Sequence, residues 1–386
     1  MKIRLYYIVI TIFVMPYVLF SQSSDKLEIV QTDSTDFKQT LTSDGALREL
    51  VGNVHIRQGE TDMFCKSMRW WVDKEEVVIK QDVRIFDKIK QLFADEVFYN
   101  IDTRIYFAHG NVVLKDSIRQ ITADEIRYFK LEDRVVANGN VVMNDWDNNV
   151  DIFSGHAELD NEKDYVVITN NPVLIKNDST QQEELRITGL KMELYNGGDK
   201  AVVTDSVHII QKEASAKCGV AEFFRKENEI ILKQNPITWQ NEDCISGDII
   251  HLYLKDDKLV KAVVKENALV KSRVDTTGND QRFNKLSGQQ ITMFFKDQEL
   301  YEVLVENKAT SFYYVIEEGE EKGLNKIIGD KIIVQMQDRK IVDIWIESKP
   351  QLSEGVFYPP GFEPDEKEKN RYGIKISSRE AGKSLQ

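Results

Sequence analysis

The sequence predicts an all-β protein that forms an elongated repeat sheet of about nine stacked repeats. Three observations predict this fold: a short apolar strand motif recurs along nearly the whole chain, a small residue recurs after it, and a charged turn with a β-branched run completes the unit. No segment after residue 21 keeps apolar residues at helical spacing. A unit of this length encloses no core alone, so it must stack on its neighbours.

The first element of the repeat is an apolar residue, any residue and a second apolar residue, usually entered through Gly-Asn or Asn-Pro. The copies of this strand motif begin at Val54, Val83, Val112, Val141, Val173, Val207, Ile237, Ala268 and Ala309, the last one degraded. The first four are 29 residues apart. Because alternate residues of a strand point to the same side, both apolar positions lie on one face.

The second element is a small residue. It is found at Cys65, Ala94, Ala123, Gly155, Gly189, Cys218, Gly247, Gly288 and Gly329. An apolar residue usually stands two positions before it and another three positions after it. A regular strand cannot keep both on one face, so a bulge or corner is predicted at the small residue. The copy at Gly155 departs from the pattern, with Glu158 at the second apolar position.

The third element is a charged turn followed by a β-branched run, as in Glu75 to Ile79 and Asp164 to Ile168. Charged and Asn, Asp or Gly clusters between short apolar runs are typical of turns between strands. Each repeat is therefore expected to contain two or three short strands.

The two ends of the chain differ from the repeats. Lys2 and Arg4 precede an apolar run over 5–20, which predicts a signal peptide at 1–21 and export, although retention of 5–20 as a membrane anchor is the alternative. Residues 22–45 are expected to add a partial first rung around Leu27 to Val30. The repeats occupy 46–352, as one array or two tandem modules, and 353–386 form a cap or a disordered tail.

Composition argues against a nucleic-acid partner and against a framework of disulfide bonds. The formal net charge of −13 argues against nucleic acid. Three cysteines make no disulfide framework. Cys65 and Cys218 fill the small-residue position, and a bridge between Cys218 and Cys244 is geometrically awkward but stays open.

The polar residues point to no catalytic centre, metal site or cofactor. His55 and His208 share the middle position of the strand motif, which faces away from the apolar side. The acids Asp95, Asp124, Asp248 and Asp330 each follow the small residue, which favours a role in corner hydrogen bonds. A glycosidase needs two carboxylates at one place, whereas the acids here are spread evenly. A surface adhesin or carbohydrate-binding repeat protein remains the alternative from another class.

The order of the three elements resembles the OstA-like lipopolysaccharide-transport proteins of the LptA family. The resemblance covers about residues 27–350 and is clearest over Gly52 to Tyr99, Gly110 to Tyr128 and Ile245 to Leu252. It implies an open antiparallel β-jellyroll, bent like a taco, that carries lipid A acyl chains of lipopolysaccharide through the periplasm between the inner and outer membranes. A membrane-anchored component of the same pathway, similar to LptC, is the alternative within the family.

Stacking would line the strand-motif residues into an apolar ladder, with a second, aromatic ladder beside it. The predicted groove residues are Val54, Ile56, Val83, Ile85, Val112, Leu114, Val141 and Met143, with Trp70, Tyr99 and Tyr128 in the aromatic ladder. If the sheet is bent but not closed, these residues line a groove for lipid; the alternative is a closed, lipid-free core. Unpaired end strands predict contact with other transport proteins or with a second copy of the chain.

Overall fold

The structure is a computed structural model that describes residues 26–33, 38–43, 45–212, 214–240, 242–256, 258–274, 282–297, 299–337, 340–349 and 353–362. The predicted signal peptide lies outside the described residues. Within these ranges, no helix has the length and apolar character needed to cross a membrane.

The described residues form one antiparallel sheet of 26 strands. The first half contains β1 (Leu27–Gln31), β2 (Lys38–Thr42), β3 (Gly45–Gln58), β4 (Thr61–Trp71), β5 (Glu76–Phe86), β6 (Gln91–Asn100), β7 (Ile105–Lys115), β8 (Arg119–Phe129), β9 (Arg134–Asp145), β10 (Val150–Asp160), β11 (Tyr165–Thr169), β12 (Val173–Asn177) and β13 (Glu183–Thr188). The second half contains β14 (Lys191–Tyr195), β15 (Lys200–Gln211), β16 (Ala214–Phe224), β17 (Glu229–Lys233), β18 (Ile237–Gln240), β19 (Asp243–Ser246), β20 (Ile249–Lys255), β21 (Lys258–Arg273), β22 (Phe283–Lys296), β23 (Glu299–Glu317), β24 (Glu320–Gln337), β25 (Lys340–Glu347) and β26 (Glu354–Tyr358). Short 3-10 turns lie at Val72–Lys74, Lys130–Glu132 and Asn196–Gly198.

Strands that follow one another in the chain lie side by side in the sheet. From β3 to β10 each strand pairs with the next along most of its length. Beyond β10 some rungs are split into two pieces, so β11 and β12 both pair with β10, and β13 and β14 both pair with β15. The edges are split in the same way, with β1 and β2 on β3 and with β25 and β26 on β24.

Every copy of the strand motif is preceded by two consecutive residues with positive φ. These pairs are Gly52–Asn53, Gln81–Asp82, Gly110–Asn111, Gly139–Asn140, Asn170–Asn171, Asp205–Ser206, Gln234–Asn235, Glu266–Asn267 and Asn307–Lys308. The pairing register shifts at the same places, for example between Phe93 and Glu96 opposite Gly110. This confirms the predicted corner at the small residue, because an unpaired pair of left-handed residues bends the strand. In the copies at Val173 and Ile237 a proline follows the pair, and the middle residues Leu174 and Thr238 face inward, so the predicted inward face was wrong for these two copies.

The corners divide the sheet into two limbs. Limb A consists of the strand halves on the same side of the corners as the 3-10 turns. Limb B consists of the strand halves on the other side, which carry the strand motif or pair with it. The row of corners between the two limbs is the spine. The limbs face each other, since the hydroxyl of Tyr99 in limb A donates a hydrogen bond to Oε1 of Gln58 in limb B. One repeat is therefore usually two strands, as expected, but these strands are long and bent, because each one continues past the corner.

The irregular copy at Gly155 has a local explanation. The register of β10 shifts between Ser154 and His156 and leaves Gly155 unpaired, as Asp95 is left unpaired in β6. Ser154, which pairs with inward-facing Val141, therefore takes the small-residue position that was predicted for Gly155. As a result Ala157, which is fully buried, takes the inward position, and Glu158 points outward. The position of the bulge, one residue later than the sequence predicted, thus keeps the acidic side chain out of the core.

A first interior row next to the spine runs through limb A from β3 to β24. Its members, cross-strand neighbours in order, are Leu50, Met68, Ile79, Val97, Ala108, Ile126, Ala137, Ala157, Ile168, Met192, Val203, Ala221, Leu232, Ile250, Val264, Ile291, Val305 and Ile332. None is more than 4% exposed. The core is therefore continuous along the stack.

Candidate functional site

A second interior row of limb A lies two residues farther from the spine and changes character along the molecule. In the closed segment, residues 45–160, it begins with Arg48 on β3, which is partly exposed, and from β4 onward consists of Trp70, Val77, Tyr99, Tyr106, Tyr128, Val135 and Leu159, all at most 9% exposed. In the central segment, residues 165–255, it consists of Val166, Leu194, Ala201, Phe223, Ile230 and Leu252, all partly exposed. In the C-terminal segment it consists of Ala262, Met293, Val303 and Val334, all at most 2% exposed.

The predicted groove residues all lie in the closed segment. Val54, Ile56, Val83, Ile85, Val112, Leu114 and Val141 face inward from limb B and are at most 5% exposed, while Met143 is partly exposed. Trp70, Tyr99 and Tyr128 are at most 9% exposed. The ladders exist, but their side chains fill the space between the limbs. A ligand reaches them only if the limbs separate, so their contact with ligand stays a prediction.

The aromatic ladder of the closed segment includes a residue that the sequence did not single out. Tyr106 stacks on Tyr99 with ring centroids 4.3 Å apart and on Tyr128 at 6.0 Å. Burial raises the pKa of Tyr106 and of Tyr128, so both phenols are neutral. Tyr106 was missed because it belongs to the run after the charged turn, and only the pairing of β6 with β7 brings it between the other two rings.

Little free space remains beside these rings. A depression lined by Thr61, Tyr106, Leu114 and Tyr128 has a cavity volume of about 10 Å³, which is about the space that one water molecule needs. The closed segment therefore holds no hydrocarbon chain in this conformation.

The central segment leaves its inner apolar surface accessible. Opposite the second row of limb A, the facing row of limb B contains Ile187 and Ala216, which are buried, and contributes Leu174, Ile209, Thr238 and Ile245, which are partly exposed. Together the partly exposed side chains form the central trough. Its members are Val166, Leu194, Ala201, Phe223, Ile230 and Leu252 from limb A, and Leu174, Ile209, Thr238 and Ile245 from limb B.

The difference between the two segments follows from side-chain size. The second row of the closed segment contains Trp70 and three tyrosines, which reach across to limb B, whereas Phe223 is the one aromatic residue of that row in the central segment. Six strands of limb A line the trough, so it extends roughly 24 Å at about 4.8 Å per strand. The trough is apolar, partly hydrated and long enough for an extended hydrocarbon chain.

The acids that follow the small residue act at the corners, as predicted. Asp95 accepts a hydrogen bond from the Asn111 amide at 2.8 Å, and Asp124 accepts one from Asn140 at 3.0 Å. Asp248 and Asn267 form the same contact at 3.0 Å. Asp330 instead accepts from the backbone N–H of Lys349 at 3.0 Å. The prediction of corner hydrogen bonding is thus confirmed for all four acids.

The histidines lie apart from one another and each has a local partner or an outward position. His55 Nε2 lies 2.7 Å from Asp62 Oδ1, and His251 Nδ1 lies 2.8 Å from Glu229 Oε1. Burial lowers the pKa of His208, and neighbouring Lys217 lowers it further. In the described ranges no group of three or more His, Cys, Asp or Glu residues is arranged to hold a metal ion.

The three cysteines are free. Cys218 pairs in register with buried Val207 and faces inward, whereas Cys244 precedes inward-facing Ile245 and faces outward. The two thiols therefore lie on opposite faces of limb B, which resolves the open question of a bridge between them. Burial raises the pKa of Cys65 to about 12 and that of Cys218 to about 11.

Comparisons with known proteins agree with this architecture. No curated protein sequence matches the chain. One solved structure, described as LptH, the LptA homologous periplasmic component of the conserved lipopolysaccharide transport device from Pseudomonas aeruginosa, is similar with 16% identity and a TM-score of 0.29, and the match covers 38% of this chain and 95% of LptH. A family model described as OstA-like protein matches residues 24–150, and one described as LptA/(LptD N-terminal domain) LPS transport protein matches residues 91–258. The first model covers about a third of the sequence and the second somewhat less than half, and over residues 24–258 the chain is similar to OstA-like and LptA-type proteins.

Proposed function

We propose that the chain is a periplasmic lipopolysaccharide-transport protein that holds the acyl chains of lipid A in the central trough. The family models describe transport proteins of this kind, and LptH is described as a periplasmic transport component. The observation that carries the proposal is the run of partly exposed apolar side chains from Val166 to Leu252, which interrupts a row that is buried on either side.

The energetics of burial support a passive carrier. Each methylene moved from water into an apolar site contributes about 0.8 kcal/mol, so ten methylenes contribute roughly 8 kcal/mol. That free energy retains an amphiphile without a specific polar contact. Because the trough is already partly exposed, a hydrocarbon chain gains this burial without first separating packed side chains.

Photocrosslinking at adjacent residues tests the location. Phe223 faces the trough between Ala201 and Ile230, whereas Phe224 faces outward against Lys200, 5.4 Å from its ring centroid. A photoreactive phenylalanine at position 223 is expected to crosslink to lipopolysaccharide in cells, and the same group at position 224 is the matched control. Equal crosslinking at both positions, or none at position 223, would contradict the proposed trough.

A second control separates the two candidate regions. The photoreactive group at Tyr106 reports on the closed segment, where the earlier prediction placed the ligand. Crosslinking at Tyr106 without crosslinking at Phe223 would return the site to the closed segment. Organic extraction of the purified protein, followed by mass spectrometry for lipid A, then identifies the bound molecule; absence of any lipid would contradict the proposed function.

The two edges of the sheet are proposed to pair with other transport proteins or with a second copy. Every residue of β2 is exposed, including Leu41 at 83%, and Trp345 of β25 is 45% exposed. Such edges present unpaired backbone groups and apolar side chains, and charges there discourage pairing. Trp345→Lys is expected to reduce concentration-dependent association in sedimentation experiments. Wild-type protein that remains monomeric at high concentration and crosslinks to no partner would contradict edge pairing.

Export is tested by the mass of the protein recovered from cells. Cleavage after residue 21 gives a protein that begins at Gln22, whereas an anchored, LptC-like component retains residues 5–20. Intact-mass measurement of the protein from the periplasmic and the membrane fraction distinguishes the two alternatives.

A further inference from the structure

Two hairpin turns of the closed segment meet across the opening between the limbs. The turn 87–90 joins β5 to β6 in limb B, and the turn 130–133 joins β8 to β9 in limb A. Lys90 Nζ of limb B contacts Asp133 Oδ1 of limb A and also lies 4.9 Å from the ring centroid of Tyr128. The Lys90 side chain is only 14% exposed, so this ion pair is shielded from solvent more than a surface pair.

A second pair of contacts runs in the opposite direction. Lys130 Nζ of limb A contacts the hydroxyl of Thr61 in limb B and lies 3.5 Å from Asp87 Oδ2 in the same limb. The Asp87 carboxylate also accepts hydrogen bonds from the backbone N–H groups of Ile89 and Lys90, at 2.9 and 2.6 Å. Asp87 thereby fixes the turn that carries Lys90. Each limb thus supplies one lysine and one aspartate, so the contacts are reciprocal.

A third contact lies deeper between the limbs. The side-chain amide of Gln58 in limb B donates a hydrogen bond to the backbone carbonyl of Ile101 in limb A, at 3.3 Å, and Gln58 Oε1 accepts one from Tyr99. Gln58 is 2% exposed. Polar contacts therefore cross the opening of the closed segment at successive rungs, directly over the aromatic ladder.

The central segment lacks such crossings in the part that the structure describes. Its polar side-chain contacts join residues of the same limb, as in Tyr165 with Glu193 and Lys233 with Glu222. Of these two segments, the one whose interior is packed is thus the one whose opening is bridged. This coincidence separates a latch from ordinary surface ion pairs.

We infer that Lys90, Asp133, Lys130, Asp87, Thr61 and Gln58 form a latch that holds the two limbs together over the closed segment. Release of the latch exposes the aromatic ladder and extends the central trough toward the β3 edge. That this extension admits an acyl chain rests on the proposed function; the mechanical role of the latch does not.

Distance measurements between spin labels on the two turns test the latch without any lipid. Ile89 and Leu131 are 74% and 66% exposed and lie next to Lys90 and Lys130. Labels are attached to Ile89→Cys and Leu131→Cys in a chain whose native cysteines are replaced by alanine. Double electron–electron resonance is expected to give a narrow distribution for the parent and a broader distribution at longer distances for Lys90→Glu, which places two acids together.

Charge exchange and a neighbouring pair supply the controls. Lys90→Glu with Asp133→Lys is expected to restore the parent distribution; Asp133 has φ 44°, and Lys212 and Lys308 adopt the same left-handed backbone, so lysine is tolerated there. Lys88→Glu is the matched control, because Lys88 pairs with Glu60 of its own limb at 2.6 Å, and the parent distribution is expected. An unchanged distribution in folded Lys90→Glu, or an equal shift in Lys88→Glu, overturns the latch.

A milder variant keeps the test decisive if Lys90→Glu does not fold. Lys90→Gln with Lys130→Gln removes both cations without adding repulsion, and a shift in the same direction is expected, with unchanged circular dichroism. An unchanged distribution in this variant overturns the inference. If the latch opens but no lipid is found in the protein, the proposed function fails and the latch stands.

Discussion

Each corner depends on a few side chains at the spine. In the corner before Val141, Gly139 has φ 74° and Asn140 has φ 45°, and the Asn140 amide donates to Asp124 on the neighbouring strand. Asparagine and aspartate suit such positions because Asn tolerates left-handed backbone and Asp accepts its amide hydrogens. The bend is therefore specified locally at this corner, and the equivalent contacts of Asp95 and Asp248 repeat it at two others.

Removing the corner acceptor is expected to destabilise the protein modestly. Asp124→Ala deletes the partner of Asn140 at an exposed site, and the expected loss is about 1 kcal/mol in the free energy of unfolding, measured with urea. Asp124→Asn keeps one carbonyl acceptor and is expected to lose less. An equal loss for both variants would show that charge, not hydrogen bonding, is what the corner requires.

A side chain at a corner glycine is expected to cost more. A Cβ on Gly110 would lie 2.6 Å from Asp95 Oδ2, and φ is 77°. Gly110→Ala thus combines a clash with left-handed strain, and a loss of about 2 kcal/mol is expected. In the Asp95→Ala background the contact with Oδ2 is removed and only the Cβ of residue 95 remains close, at 3.0 Å, so the substitution is expected to cost less, about 1 kcal/mol. Identical costs in both backgrounds would contradict the predicted clash.

The buried thiols are expected to be nearly inert. With pKa values of about 12 for Cys65 and about 11 for Cys218, the reactive thiolate is a minor species at pH 8 and increases as the pH rises toward each pKa. Reaction with a disulfide reagent is expected to be slow in the native protein and rapid in denaturant, with Cys218 faster than Cys65. Two thiols missing in denaturant without reductant would indicate a disulfide and contradict the free cysteines.

Within the strands, the same residue type is buried in the closed segment and partly exposed in the central trough. Leu159 and Leu194 occupy the same second row, but Leu159 is 5% exposed, whereas Leu194 is partly exposed. Leu159→Ala is expected to cost about 3 kcal/mol because it leaves a cavity, and Leu194→Ala about 1 kcal/mol because less burial is lost. Urea unfolding of lipid-free protein measures both, and equal costs would indicate a packed trough.

The same pair of leucines shows which features of the fold and the site could be predicted from the sequence. Spacing predicted the repeat, the corner and the inward face, because the positions of Val54 and Ile56 follow from the period of a strand. The exposure of the interior depends on the distance between limbs, which the sequence does not encode at any single position. The predicted groove therefore fell on the regular, aromatic-rich closed segment, where Tyr106 completes the packing, and the less regular central segment was not singled out.

In the part of the chain that the structure describes, the backbone of each rung pairs with the rungs beside it, and side-chain contacts such as Lys130 with Thr61 reach farther. Chains of this kind unfold as a set of neighbouring units, and their stability is close to a sum of unit and interface terms. The first row joins all units through buried side chains, whereas the trough weakens the central ones. Native-state hydrogen exchange is expected to show lower protection for β11 to β20 than for β4 to β8, and a single uniform opening free energy would contradict this.

The spine also determines how the length of the molecule is set. A unit of two bent strands carries its own left-handed pair, its own turns and its own share of the interior, as the 29-residue spacing from Val54 to Val83 illustrates. Duplicating one unit lengthens the stack by roughly 10 Å, two strand spacings, without changing the geometry of the others. The number of repeat units thus sets the length of such a protein, and additional units of the same design allow it to span a wider gap.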